Sequence, residues 1–428
     1  MKFHIITLGC KVNTYESEVI KENLLKNNYT YTDNENDADM IIINTCSVTN
    51  MADNKSKKMV RHAKRLGKIL VVCGCSSENN QSAYKEMGID ILIGNKDKSK
   101  IYNLIEEYLR TKKNSTKFYN EEETSFENMQ VDKFHNHTRA FVKIEDGCNN
   151  FCSYCIIPYV RKNIRSKDFD EAVSEIKTLV ENGHKEIVLT GILTGSYNSN
   201  GHNLADLIEE ISKIDDLERI RISSIEVTEL DEDMLNVIQN NKKVVNHLHI
   251  PLQAGSNEIL KRMNRKYDLD YFKKKIETLR SIKDDLSITT DVIVGHPYET
   301  EELFLETLNT CKEINFAKIH VFPYSKRDGT PASRMPMQVS DSDKKRRSRT
   351  LNQVSKKLEE QFYKSHLNQE LEVLIEEVEK NSSIGFTSNY IKVKINKPLQ
   401  RNKIYKVKLL EYQNGILIGE NIQEEVSV

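Results

Sequence analysis

The chain has 428 residues, with 63 lysines and arginines against 64 aspartates and glutamates, for a formal net charge of −1. That length admits two or three domains with sizeable cores, and the charge balance excludes global basicity as a route to nucleic acid, leaving only local patches. The longest apolar runs, such as Met40 to Ile43 and Ile69 to Val72, are too short to cross a bilayer, and the opening "MKFHIITLGC" reads as a strand; a cytoplasmic, non-membrane protein is expected.

Residues 1–112 alternate strand and helix. "KFHIITLG", "DMIIIN", "KILVVCG" and "DILIGN" read as buried strands, with amphipathic stretches such as Val19, Ile20, Leu24 and Leu25 between them. This is the grammar of an α/β domain built on an open parallel sheet. "ITLGC", "IINTC" and "VVCGC" place Cys10, Cys46 and Cys75 at the carboxyl ends of three such strands. Three thiols on one edge of an open sheet, where ligands bind, predict a metal or cluster site. Gly9 and Gly74 each precede one of these cysteines and allow a close turn. Cys73 and Cys311 fit no ligand pattern and are read as packed thiols. Lys57, Arg61, Lys64 and Lys68 share a helical face opposite Val60, Ala63 and Leu66, as either a solvated face or an RNA contact.

Residues 113–134 are polar and aperiodic and read as a linker. Over 135–365 a second alternating series follows: "RAFVKI", "EIVLTG", "RIRISS", "VNHLHIPL", "SITTDVIVG" and "KIHVFPY", separated by helices such as Asp170 to Glu181 and Tyr271 to Ile282. Six such units predict a partial (β/α)6 barrel. Directly after its first strand comes "GCNNFCSYC", with Cys148, Cys152 and Cys155 spaced C-x3-C-x2-C. Three thiolates this close suit one iron–sulfur cube with one iron left open, as a catalytic site keeps it. A zinc site completed by His135 or His137 is the alternative. A charged helix from Asp341 to His366 carries Lys344, Lys345, Arg346, Arg347 and Arg349 near its start. Residues 366–428 then read as short alternating strands of a small β-barrel. There Lys392 and Lys394 alternate along one strand, as do Lys406 and Lys408, so each pair projects from one face. That basic face suits phosphates, and Tyr390 and Tyr405 suit base stacking.

"CNNFCSYC", with Tyr154 just before the last cysteine, resembles the cluster motif of radical S-adenosylmethionine enzymes. "GCKVNTYESE", "NTCSVT", "CGC" and "DGCNNFCSYCIIPY", with a TRAM-like terminal barrel, resemble the methylthiotransferase family over essentially the whole chain. The resemblance implies two [4Fe-4S] clusters. One at Cys148, Cys152 and Cys155 binds S-adenosylmethionine and cleaves it to a 5′-deoxyadenosyl radical; the other, at Cys10, Cys46 and Cys75, carries the inserted sulfur. A second S-adenosylmethionine supplies the methyl group. Such a radical is needed where the target C–H has no useful acidity. The resemblance also places Tyr154, Gly191, Glu226 and Gln253 around S-adenosylmethionine, and implies a sulfur donor, an electron donor and a tRNA anticodon arm as partners.

"FPYSKRDGTPASRM" and "GCKVN" resemble the threonylcarbamoyladenosine branch, in which Lys326 and Arg327 are expected to face the substrate carboxylate. Isopentenyladenosine in tRNA and a ribosomal-protein aspartate are the family's other substrates. A non-enzymatic iron–sulfur or zinc protein is the reading of another class. Four positions depart from the family pattern: Leu193 replaces a frequent histidine, Lys162 a glycine, and His296 and Tyr298 a phenylalanine and a glycine. These are expected to reshape the pocket.

Overall fold

Met40–Thr45 is buried along its whole length, as a central strand covered on both faces must be. In the computed structural model, which describes residues 1–119, 125–135 and 137–422, it pairs with Lys2–Thr7 on one side and Ile69–Gly74 on the other. Ile91–Ile93 extends the sheet, and Thr30–Tyr31 and Ser115–Lys117 form its edges, giving six parallel strands. The two edge strands carry no apolar run, so periodicity could not reveal them.

Ser115–Lys117 lies inside the stretch read as a linker, and the second half of that stretch is not loose either. Met129, Val131 and Phe134 are buried in the core of the barrel that follows. The Tyr15 hydroxyl donates to the Met129 carbonyl at 2.7 Å, and the Val131 amide to Glu175 at 2.9 Å. Three apolar side chains within six residues of a polar segment are enough to strap it down. Residues 120–124 of the linker and 423–428 of the terminal barrel lie outside the described residues.

The barrel strands are Arg139–Lys143, Glu186–Thr190, Arg219–Ile222, His247–His249, Ser287–Val294 and Lys318–Pro323. They form two parallel three-stranded sheets, linked by a bridge between Ile220 and Val244. This is the expected six-unit partial barrel. Helices such as Phe169–Glu181, Leu269–Ile282 and Glu301–Ile314 pack apolar faces on it. Their starts are fixed by Asp168, Asp268 and Thr300, whose side chains accept first-turn amides. The 24-residue helix Asp341–Lys364 leads to the terminal barrel.

That barrel closes from Glu370–Val378, Ser383–Thr387, Lys392–Ile395, Ile404–Gln413 and Ile416–Asn421 around Val373, Val393, Val407 and Leu417. It seats on the amino-terminal ends of the six-unit barrel's strands. Arg219 donates to the Phe386 carbonyl at 3.0 Å and the Glu372 carbonyl at 2.9 Å, and Arg139 pairs with Glu376 at 2.7 Å. Tyr390, expected to stack on a base, instead lies under Arg221 at 4.6 Å and beside the His247 ring at 4.8 Å, closing the barrel floor. Among the described residues no helix is long and apolar enough to cross a membrane.

Candidate functional site

The three amino-terminal thiols lie near one another because the turns after the strands are tight. Gly9 has φ +109°, and a Cβ there would stand 3.0 Å from the Cys46 sulfur. Gly74 has φ +107°, and its Cβ would overlap the Thr45 carbonyl. Both positions therefore require glycine. The backbone around the thiols is pinned from the side: the Asn13 amide donates to the Thr45 carbonyl at 3.0 Å, and Ser56 bonds both the amide and the carbonyl of Cys46 at 3.0 Å. Cys10 is the N-cap of the helix Lys11–Lys26, and Cys75 opens the short helix Cys75–Asn79. Burial pushes the Cys46 thiol up to about 11, with Cys75 and Cys10 adding to it, and also raises Cys10.

Arg161 carries this site to the second one. It is fully buried, and its Nε donates to the Cys75 sulfur at 3.4 Å, where Asn95 also donates at 3.5 Å. Its other nitrogens reach Glu16 at 2.8 Å, Asp146 at 3.1 Å and Asn13 at 2.9 Å. Lys143 bonds Glu16 at 2.9 Å and Asp146 at 2.7 Å, and Lys98 also pairs with Glu16. Burial alone would raise both carboxyls; the Arg161 and Lys143 cations outweigh it and hold them well below the usual carboxylate range.

The second thiol set sits in the loop after the short strand Glu145–Asp146. Gly147 has φ +99°, and a Cβ there would overlap the Asn163 carbonyl, so the loop can fold back only on glycine. The Cys148 amide donates to the Lys162 carbonyl at 3.1 Å, and the Ser153 amide to Met263 at 2.9 Å. Burial pushes the Cys148 thiol up to about 11 and Cys155 up to about 12. Arg265 donates to the Cys152 sulfur at 3.3 Å and also pairs with Glu226. Burial and crowding favour the protonated thiols, and the Arg265 N–H on the Cys152 sulfur acts the other way, toward the thiolate form that an iron–sulfur cluster takes. Among the described residues no three histidine, cysteine or carboxylate side chains are gathered tightly enough for one metal ion. His135 and His137, the zinc alternative, precede the strand Arg139–Lys143, whereas the loop cysteines follow it.

Two chambers open beside these thiols. A cavity of about 910 Å³ runs down the barrel interior and is lined at its upper end by Cys10, Lys11, Gly191, Ser223 and Asp291. A smaller one of about 170 Å³ is lined by Tyr154, Cys155, Gln253, Ile293 and again Asp291. Asp291 and Phe322 belong to both walls. Tyr154 and Gln253 are thus on the smaller chamber, Gly191 is on the larger, and Glu226 lies behind Cys152 with Arg265. The surface that Lys11 keeps open faces the larger cavity; burial and the Arg221 and Arg139 guanidiniums push its ammonium down to about 8.

A buried carboxyl, Glu145, and a half-buried one, Glu229, are also present. Glu145 accepts the Ile192 and Leu193 amides at 2.8 and 2.7 Å, and a Cβ on Gly191 would come within 2.7 Å of it. Burial pushes it up to about 8, and Glu229 up to about 7. Neither residue stood out in the sequence, nor did Arg161 or Arg265. The one available signal was an arginine in the apolar stretch "IIPYVR", which demanded a buried partner.

Several expected substrate contacts are placed elsewhere. Arg327 is buried and donates to Asn50 Oδ1 at 2.6 Å, while the Lys326 carbonyl accepts from Asn50 Nδ2 at 2.7 Å. The helix Asn50–Arg65 leans on this loop, so the pair clasps two parts of the chain and lines neither chamber. Lys392 lines the floor of the larger cavity. Lys394 is half-buried, and Lys406 pairs with Glu370 at 2.8 Å because the strands Glu370–Val378 and Ile404–Gln413 run side by side. Lys57 pairs with Asp53, Arg346 with Glu301, and Arg347 is buried against Glu299.

The departures also find reasons. Lys162 and Tyr298 have φ of +60° and +69°, which glycine adopts freely and side-chain-bearing residues only at a cost. His296 is fully buried, bonded to Ser153 at 3.0 Å, and kept neutral as burial pushes it down to about 4. Leu193 is buried beside Glu145.

A model of the radical SAM superfamily matches residues 142–311, and one described as uncharacterized protein family UPF0004 matches residues 2–94. Threonylcarbamoyladenosine tRNA methylthiotransferase MtaB of Bacillus subtilis (strain 168) is 41% identical over 422 residues, covering 96% of this chain and 93% of its own. The tRNA-2-methylthio-N(6)-dimethylallyladenosine synthase of the same organism is 32% identical, covering 100% of this chain and 87% of its own. The radical S-adenosylmethionine methyltransferase TsrM from Kitasatospora setae superposes with a TM-score of 0.56 at 12% identity, over 77% of this chain and 76% of that one, which shows a shared fold. Similarity of this degree along nearly the whole length means that the chain belongs to the methylthiotransferase family of radical S-adenosylmethionine enzymes.

Proposed function

We propose that the chain inserts a methylthio group at C2 of N6-threonylcarbamoyladenosine beside a tRNA anticodon, using two four-iron clusters. The observation that supports this reading is the shared wall: one thiol of each set, Cys10 and Cys155, lines one of two adjacent chambers that have Asp291 and Phe322 in common. When bound, a cluster at Cys148, Cys152 and Cys155 supplies reductive cleavage of S-adenosylmethionine, and one at Cys10, Cys46 and Cys75 supplies the sulfur that is transferred.

The remaining tasks fall to the chain. Arg265 and Arg161 each hold an N–H donor on one ligating sulfur, at Cys152 and Cys75. Tyr154 and Gln253 line the chamber for S-adenosylmethionine, and Gly191 leaves room in the larger one by lacking a side chain against Glu145. Glu226, tied to Arg265, is positioned to orient S-adenosylmethionine from behind Cys152. The larger cavity accepts the modified adenosine. Lys394 and Lys408, on the outer surface of the terminal barrel, contact the tRNA backbone. A reductant and a sulfur source are separate partners.

Mass spectrometry of tRNA nucleosides tests this in a host lacking its own methylthiotransferases, with and without the chain. Methylthio-threonylcarbamoyladenosine should appear only with it. Methylthio-isopentenyladenosine alone, or neither product while the threonylcarbamoyl precursor is present and the clusters are intact, would overturn the substrate assignment.

A further inference from the structure

The larger cavity is lined by more cations than anions, and its charges are unequally matched. Lys318 is answered by Glu359 at 2.7 Å, and Asp291 lies 3.4 Å from His249. Arg221 bonds Glu186 through Nε at 2.6 Å, but its Nη1 is buried with no partner among the described residues. His247, which also lines the cavity, has a buried Nδ1 in the same condition. Lys11, at the other end, has no hydrogen-bond or ion-pair partner among the described residues and faces the cavity. It directly follows Cys10 and begins a 16-residue helix with no acidic residue in its first turn, so the helix dipole adds positive potential at the same place.

Lys11 keeps exposed surface, whereas Arg221 is buried with an unanswered N–H, which costs free energy until an acceptor arrives. RNA phosphate is one candidate, but phosphates lie on the outside of an anticodon loop. A carboxylate carried on the inserted base reaches the interior. We propose that Lys11, supported by Arg221 deeper in the cavity, receives the carboxylate of the threonylcarbamoyl substituent and so selects an anionic adenosine over an apolar one. This rests on the substrate reading above and assigns the carboxylate contact to Lys11 in place of Lys326 and Arg327.

The test uses the reconstituted enzyme and anticodon stem-loop RNAs bearing threonylcarbamoyladenosine, its carboxyl methyl ester, or isopentenyladenosine. Wild-type kcat/KM for the acid should exceed that for the ester by about tenfold or more, the worth of a hydrogen bond to a charged group. In Lys11→Gln that ratio should collapse toward one, the acid losing mainly through KM, with Lys11→Arg restoring part of it. Affinity of the acid-bearing RNA, measured by fluorescence anisotropy without turnover, should fall in parallel. If wild type treats acid and ester alike, the assignment is overturned with no variant needed. A ratio preserved in Lys11→Gln, with both RNAs weakened equally, would place Lys11 on a phosphate and overturn it as well. Activity on isopentenyladenosine alone would remove the substrate reading itself.

Discussion

The two thiol sets differ in how far apart their parts are made. Cys148, Cys152 and Cys155 lie in one loop, whose shape is set by Gly147 and by backbone bonds to Lys162 and Met263. Cys10, Cys46 and Cys75 come from three strand ends, and their proximity depends on the whole sheet and on Arg161, donated from just beyond the other site. The loop set is therefore sensitive to local backbone, and the strand-end set to tertiary packing. Arg161 should make the contrast sharpest. Arg161→Ala removes the cation that Glu16 and Asp146 share and should cost about 3 kcal/mol, the order seen when one partner of a buried pair is lost. Anaerobic denaturant unfolding measures it. A loss under about 1 kcal/mol would mean that Lys98 and Lys143 suffice.

The corresponding change at the loop is smaller and local. Arg265→Met takes the donor from the Cys152 sulfur and should weaken iron retention at the loop site by about tenfold, as loss of outer partners of a metal site does. The strand-end site should keep its iron. Chelator titration followed by spin resonance of each cluster separates the two; equal loss at both sites would break the distinction.

How each site showed itself in the sequence follows from the same difference. The loop set was legible in its spacing alone, because ligands three and four residues apart need no tertiary model. The strand-end set became legible only once three apolar runs were read as parallel strands. Arg161 was hidden because Glu16 lies 145 residues from it in sequence. The ion pairing of the basic barrel face was hidden for a like reason: strand pairing sets Glu370 beside Lys406, which no count of lysines in one segment can show. Tyr390 read as an exposed aromatic because nothing local marks the barrel floor it closes. The linker was read as loose because three apolar anchors are too few to make a period.

Adjacent residues carry the contrast into pH. Asp146 turns toward the Arg161 network and is depressed, so the stability it confers is present above the ordinary carboxylate range and is lost as pH falls through its own lowered value. Glu145 faces the barrel, meets only neutral amides, and is raised to about 8. Between about 4.3, its unfolded value, and 8 the folded chain holds a proton that the unfolded chain does not, so stability falls as pH rises, by at most about 1.4 kcal/mol per unit. Glu145→Gln should flatten that slope. Anaerobic melting temperatures from pH 5 to 8.5 read it, and an unchanged slope would mean that Glu145 is ionised in the folded protein.

The smallest expected effect is a gain. Lys162 holds φ +60° and ψ −145°, a region that costs a side-chain-bearing residue about 1–3 kcal/mol, while its carbonyl accepts the Cys148 amide at 3.1 Å. Glycine relieves that strain but gives the unfolded chain more freedom, offsetting up to about 1 kcal/mol. Lys162→Gly should therefore stabilise by about 1 kcal/mol, with the carbonyl left in place to hold the loop. Tyr298 also holds a positive φ, +69°, but Tyr298→Gly loses a ring stacked 3.9 Å from the Arg262 guanidinium, so its gain should be near zero. The paired measurement isolates backbone strain from side-chain packing. Equal gains would show that the Tyr298 ring contributes nothing, and a loss at Lys162→Gly would show that its side chain, near Glu78, outweighs the strain it bears.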